Sequence, residues 1–212
     1  MFATTEVFVY VFMEVITRLK NIQRIIIGKG NWFDITIAII IFGGFSIFGT
    51  YTGIILPSGA ISSIRDLGPL VIGLAAGPIA GLGAGLIGGI HRYLLGGFTC
   101  VPCGLATILA GLIGGIVYLI NKKKLVGVFV AMLLSIFVEI IHGLVTIIIV
   151  RPFDEALAVV LAAIPPMMIA NAMGIAISII ILEHLLDELV EEKQISILSH
   201  RQHRAQVIKT DV

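Results

Sequence analysis

Arg65, Arg92 and Arg151 interrupt long apolar stretches of this chain, and guanidinium groups in such places invite a chemical explanation. A guanidinium offers a planar fork of donors that matches a carboxylate, and the charge-assisted pair is stronger in a partly dehydrated pocket than in open water. Arg92 lies near the end of the run Gly73 to Gly97, GLAAGPIAGLGAGLIGGIHRYLLGG, and Arg65 follows a loop holding Ser58, Ser62 and Ser63. Each arginine also has a plainer explanation. Arg92 could snorkel at the membrane interface, Arg65 could pair with Asp66, and Arg151 could pair with Asp154 or Glu155 in its own loop.

Glu139 and His142 stand three residues apart, on one face of a helix inside an apolar segment. Intramembrane ionisable groups are functional candidates. A proton relay is one role; the favoured one is signal coupling or packing, with a protonated Glu139 bonded to His142 or to Asn171. Pro165 and Pro166, in the same segment as Asn171, each remove a helical N–H and predict a kink able to transmit movement.

Cys100-Val101-Pro102-Cys103 has the spacing of a redox pair without a thioredoxin-like context, and a zinc site built with His91 would lack a fourth ligand. No metal and no cofactor are expected. Along the chain no nucleophile and base stand at productive spacing, so an enzyme is not expected either. The tail histidines, His200 and His203, are expected to be solvated linker residues, because no nucleotide-cradling motif accompanies them.

These residues must be positioned by membrane helices. With 58% hydrophobic and 13% charged residues and a mean hydropathy of +1.10, the composition is that of a multi-pass integral membrane protein. The lipid bilayer is its surroundings, and nothing suggests nucleic-acid binding. Glu6 and Glu14 inside the first apolar stretch argue against a cleaved signal peptide.

Six long apolar segments, at about 5–27, 33–56, 67–93, 102–121, 125–150 and 157–186, can each cross a ~30 Å core. The third contains Gly77-Pro78, where proline disfavours helix, and is expected to split into a short helix pair. Charge supports the split. If 67–93 crosses once, the basic first loop (Arg18, Lys20, Arg24, Lys29) and Lys122 to Lys124 fall on opposite faces; if it crosses twice, both join the tail on one face.

The expected fold is therefore all-α with about seven membrane helices, the N-terminus outside and the C-terminus cytoplasmic. Arg65, Arg92 and Arg151 then share the outer face. Residues 1–187 form the membrane domain and 188–212 a cytoplasmic helical linker or tail, in which Leu182, Leu186 and Leu189 continue a helical stripe as charge rises.

The block SIRDLGPLVIGLAAGPIAGLGAGLIGGIHRYLLGGFTCVPCGLATILAGLIGG, followed by RPFDEAL and PPMMIANAMG, resembles the membrane sensor of LytS/YhcK-type receptors, the 5TMR-LYT family, over residues 35–187. The resemblance implies a signalling input domain without catalytic motifs of its own, which serves a histidine kinase or diguanylate cyclase of a two-component or related system at the plasma membrane. It implies a small carboxylate such as pyruvate as ligand, with Arg65, Arg92, Cys103 and Thr107 in the pocket, Tyr93 shaping it and Arg151 a further candidate. Ala106 stands where some relatives carry a hydroxyl residue. A homodimer through the helices and linker is the expected assembly. The glycine-proline-glycine pattern is also similar to substrate-capture subunits of energy-coupling-factor transporters, which leaves solute capture for an energising partner as the alternative.

Overall fold

The computed structural model describes residues 2–57 and 59–210, with side chains described for 4–57 and 59–195. Ser58 lies outside the described residues, as do the side chains of His200 and His203. Eight helices make up the described fold: α1 (Phe2–Thr17), α2 (Lys20–Ile26), α3 (Trp32–Tyr51), α4 (Leu67–Ala76), α5 (Pro78–Leu94), α6 (Cys100–Ile120), α7 (Val128–Ile149) and α8 (Phe153–Thr210). Four of them, α3, α6, α7 and the Phe153–Ile195 part of α8, are long and apolar enough to cross a membrane.

Two expected segments differ from the structure. Segment 5–27 is two helices, because the chain turns extended at Leu19 and Thr17 Oγ1 bonds back to the Met13 carbonyl at 2.9 Å. Segment 33–56 leaves the helix after Tyr51. Its end, Ile54–Ile55 (β1), pairs antiparallel with Ile61–Ser62 (β2), a small hairpin inside an otherwise helical chain. The hairpin tip is a glycine-containing turn with no helical periodicity to announce it.

The break at Gly77-Pro78 occurs as the sequence suggests. Gly77 has φ +93°, which side chains resist, and Pro78 opens α5 at the position where its missing N–H costs nothing. Leu67–Ala76 is too short to span ~30 Å on its own. It is instead the centre of the bundle: nine of its ten residues are buried beneath α3, α5, α6 and α8.

α5 and α6 lie backbone to backbone. A Cβ at Gly89 would fall 2.6 Å from the Gly104 carbonyl oxygen, and one at Gly104 2.8 Å from that of Gly89, so the closeness requires glycine on both sides. The Gly81 and Gly111 backbones meet in the same way further along.

At the Gly77 end, a cleft of about 440 Å³ brings Gly28, Gly30, Gly77 and Lys123 together. Beside the end of α1, Arg18 and Gln23 line a second cleft with His184 and Glu188 of α8. The basic first loop, the lysine loop and the approach to the tail thus share one end of the bundle. Asn31 caps α3 through a reciprocal box with Asp34, and Asp34 also accepts from Arg24 and Asn21 of α2, which fastens this end.

α8 runs unbroken from Phe153 through Pro165 and Pro166 to Thr210, past the expected linker boundary at 187. The two prolines leave the carbonyls of Leu161 and Ala162 without their usual helical donors. Ser62 of β2 donates to the neighbouring Ala163 carbonyl at 3.4 Å, so the hairpin rests on α8 at this point.

Candidate ligand site

Thr99, which precedes the first residue of α6, and Cys103 and Thr107 within it stand four residues apart, hence along one face. The loop before α4 brings Arg65 and Asp66 to that face, α5 brings Arg92, α7 brings Glu139 and His142, and α8 brings Asn171. All are buried, with Arg65 at 0% and Arg92 at 1% exposure, so both guanidinium groups are outside solvent.

Arg65 donates from Nε to Thr107 Oγ1 at 2.8 Å and from Nη1 to Ser63 Oγ at 3.3 Å. Its backbone carbonyl accepts from Ser46 Oγ at 2.9 Å. The Thr107 hydroxyl has a single proton to donate, shared between Asp66 Oδ1 at 2.5 Å and the Cys103 carbonyl at 2.9 Å. Arg65 Nε stands 3.6 Å from Asp66 Oδ1, an ion pair sealed from water.

The other Asp66 oxygen, Oδ2, lies 2.9 Å from His142 Nδ1. A carboxylate can only accept, which assigns a proton to Nδ1, so that in the neutral form of the ring Nε2 carries the lone pair. Nε2 faces Cys103 Sγ at 3.3 Å. The fold thus brings a thiol, an imidazole and a carboxylate together from α6, α7 and the start of α4, a juxtaposition that their spacing in the sequence does not show.

Asn171 Nδ2 donates to Glu139 Oε1 at 2.8 Å, the helix-bridging contact considered from the sequence. Glu139 Oε2 lies 3.5 Å from His142 Nδ1, too long to compete with Asp66. Asp66, Glu139 and His142 converge closely enough that their ligand atoms could hold a cation, a grouping separate from the zinc site weighed for His91 and the cysteines. His91 itself faces Tyr51 Oη, with Nε2 at 3.2 Å.

Arg92 donates from Nη1 to the Gly96 carbonyl at 2.7 Å and from Nη2 to Thr99 Oγ1 at 3.1 Å. Neither arginine is saturated. Arg65 Nη2 and Arg92 Nε are buried with no hydrogen-bond partner among the described residues. Between this face of α6 and α8 lies a cavity of about 20 Å³, lined by Thr99, Cys103, His142, Thr146, Ala163 and Met167.

Arg65, Arg92, Cys103 and Thr107, singled out from the sequence, are therefore joined in one buried network. Tyr93 is 58% exposed and Arg151 is exposed, bonding the Ile147 and Val150 carbonyls at 3.0 Å; neither belongs to that network. From the sequence Asp66 has no role beyond neutralising Arg65, and Thr99 has none. The period-four stripe Thr99, Cys103, Thr107 was the available signal for the second; only the distant His142 reveals the first.

Residues 20–185 match the family model described as 5TMR of 5TMR-LYT. The chain belongs to the 5TMR-LYT family. It is 35% identical over 143 residues to the sensor histidine kinase BtsS of Escherichia coli, an overlap of 65% of this chain and 25% of that protein. It is 29% identical over 203 residues to the sensor protein LytS of Bacillus cereus, an overlap of 88% of this chain and 34% of that protein. The chain therefore spans about a quarter to a third of the length of these relatives. No solved structure matches it. The resemblance read from the glycine-rich block is borne out, and the chain is a membrane-embedded, multi-pass sensor domain of the plasma membrane.

Proposed function

We propose that this 5TMR-LYT domain is the input unit of a histidine kinase or cyclase receptor that captures a small carboxylate such as pyruvate through Arg65 and Arg92. The single observation that carries this is a pair of buried guanidinium groups, each with one unpartnered nitrogen, Arg65 Nη2 and Arg92 Nε, and anchored through Thr107 and Thr99, which stand one turn to either side of Cys103. Buried donors without acceptors cost free energy, and an incoming carboxylate relieves that cost at both positions. The kinase names of the relatives support the output, and the grouping of basic loops at the opposite end of the bundle supports seven crossings, with this site outside and the tail in the cytoplasm.

A cavity of about 20 Å³ admits one water and not a three-carbon acid. Binding therefore requires the β1–β2 hairpin and the Pro165–Pro166 region of α8 to move away from α6. That supplies the differential affinity a switch needs, since a ligand shifts only an equilibrium whose states it binds unequally. Movement of α8 would travel down one continuous helix to residues beyond 187, where a second copy of the receptor would pair with it.

Thermal-shift titration of the chain in nanodiscs with pyruvate, lactate, acetate and the neutral pyruvamide tests the ligand class. The acids should raise the melting temperature and the amide should not; no response to any acid contradicts the proposal. Labelling of single cysteines tests the topology. Ile55→Cys and Leu95→Cys should react with a membrane-impermeant reagent from outside and Lys123→Cys only from inside, in a background lacking Cys100 and Cys103.

A further inference from the structure

Cys103, His142 and Asp66 form a nucleophile, base and orienting group whose geometry a merely polar pocket does not need. Asp66 Oδ2 fixes the ring through Nδ1, Nε2 faces the thiol at 3.3 Å, and Asp66 is itself held by Thr107 and Arg65. This is the logic by which an adjacent base takes the proton of a thiol, with a third group setting the tautomer. The thiol and imidazole both line the small cavity beside α8, and the two unpartnered guanidinium atoms belong to arginines bonded to the same face of α6. A nucleophile beside a carboxylate anchor implies a ligand with an electrophilic carbon next to its carboxylate.

We infer that Cys103 adds reversibly to the carbonyl carbon of a 2-oxo acid held by Arg65 and Arg92, so that this site takes 2-oxo acids as a covalent hemithioketal. The inference rests on the carboxylate-binding function proposed above and narrows its ligand class. In the forward step His142 Nε2 accepts the thiol proton, sulfur forms a bond to C2, and the C=O π pair moves to oxygen. The oxygen then takes the proton back from the imidazolium. The product is neutral at the new hydroxyl, retains the carboxylate and differs from its components by no atom or electron. Reversal follows the same path, as a sensor requires. Saturated and 2-hydroxy acids offer the carboxylate but no carbon for the sulfur to attack, so the chemistry separates them from oxo acids at one position.

The test uses the full chain in nanodiscs with pyruvate labelled with ¹³C at C2. In the bound state the C2 resonance should leave the carbonyl region for that of a tetrahedral carbon bearing oxygen and sulfur. The tetrahedral signal should be absent in Cys103→Ser, which keeps the side chain's size, and strongly reduced in His142→Gln. Pyruvate affinity in Cys103→Ser should fall about tenfold, toward that of lactate in the unaltered chain, as expected for loss of one strong interaction. Stabilisation of the unaltered chain by pyruvate with C2 still trigonal would overturn the covalent step and leave carboxylate capture standing. Absence of binding by pyruvate, lactate and acetate alike would overturn both.

Discussion

One helix, α6, presents two faces built on opposed principles. Gly104 and Gly111 face α5 so closely that Cβ atoms would meet opposing backbone, whereas Thr99, Cys103 and Thr107 gather side chains from α4, α5 and α7. The glycine seam contains no group that could respond to an anion; it holds Arg92 on α5 at a fixed distance from Thr99. The polar face contains two arginines, Asp66 and His142 with few spare partners, so its energy depends on what else enters. Packing sets the geometry on one face and leaves buried donors unsatisfied on the other, within about 10 Å across a single helix.

Variants on the two faces should therefore fail differently. The largest effect is expected from Asp66→Ala, which strips Arg65 of its buried ion-pair partner and His142 of its orienting acceptor. Breaking a buried pair costs about 3–5 kcal/mol, and the midpoint of unfolding in mild denaturant should fall accordingly. Gly89→Ala is expected to cost about 1–3 kcal/mol by overpacking against the Gly104 carbonyl, and a helix displacement that moves Arg92 should weaken pyruvate binding along with stability. Equal loss in Gly89→Ala and in a substitution on the lipid-facing side of α5, such as Ile90→Ala, would erase the distinction between seam and surface. Glu139→Gln keeps an oxygen for Asn171 Nδ2 and should cost no more than about 1 kcal/mol, read as a small shift in the same melt. Arg151→Ala, at an exposed loop bonded to backbone carbonyls, should stay within about 0.5 kcal/mol and leave the pyruvate titration unchanged.

The two faces were also unequally legible in the sequence. Glycines at short intervals announce close helices, and Gly77-Pro78 announces the break that makes α4 short, because both effects are local properties of backbone and ring. The family followed from the same block. The polar face was legible only in pieces. Arg65, Arg92, Cys103 and Thr107 could be singled out, and Glu139 with His142 by spacing. The pairing of Cys103 with His142 joins residues 39 apart, and that of Asp66 with His142 joins residues 76 apart, so no helical period records either. Tyr93 adjoins Arg92 in sequence but points elsewhere, since consecutive residues on a helix are about 100° apart. The β1–β2 hairpin was hidden by its apolar composition, which reads as the end of α3.

The most direct measurement is a calorimetric titration of pyruvate into the unaltered chain and into Arg92→Ala. Arg92 has no carboxylate partner among the described residues, so its removal orphans no buried charge and the fold should persist. Loss of one charged anchor worth about 1.5–3 kcal/mol should weaken binding by roughly tenfold to a hundredfold. Unchanged affinity in Arg92→Ala, with pyruvate still binding the unaltered chain, would contradict capture of the carboxylate by the buried arginines.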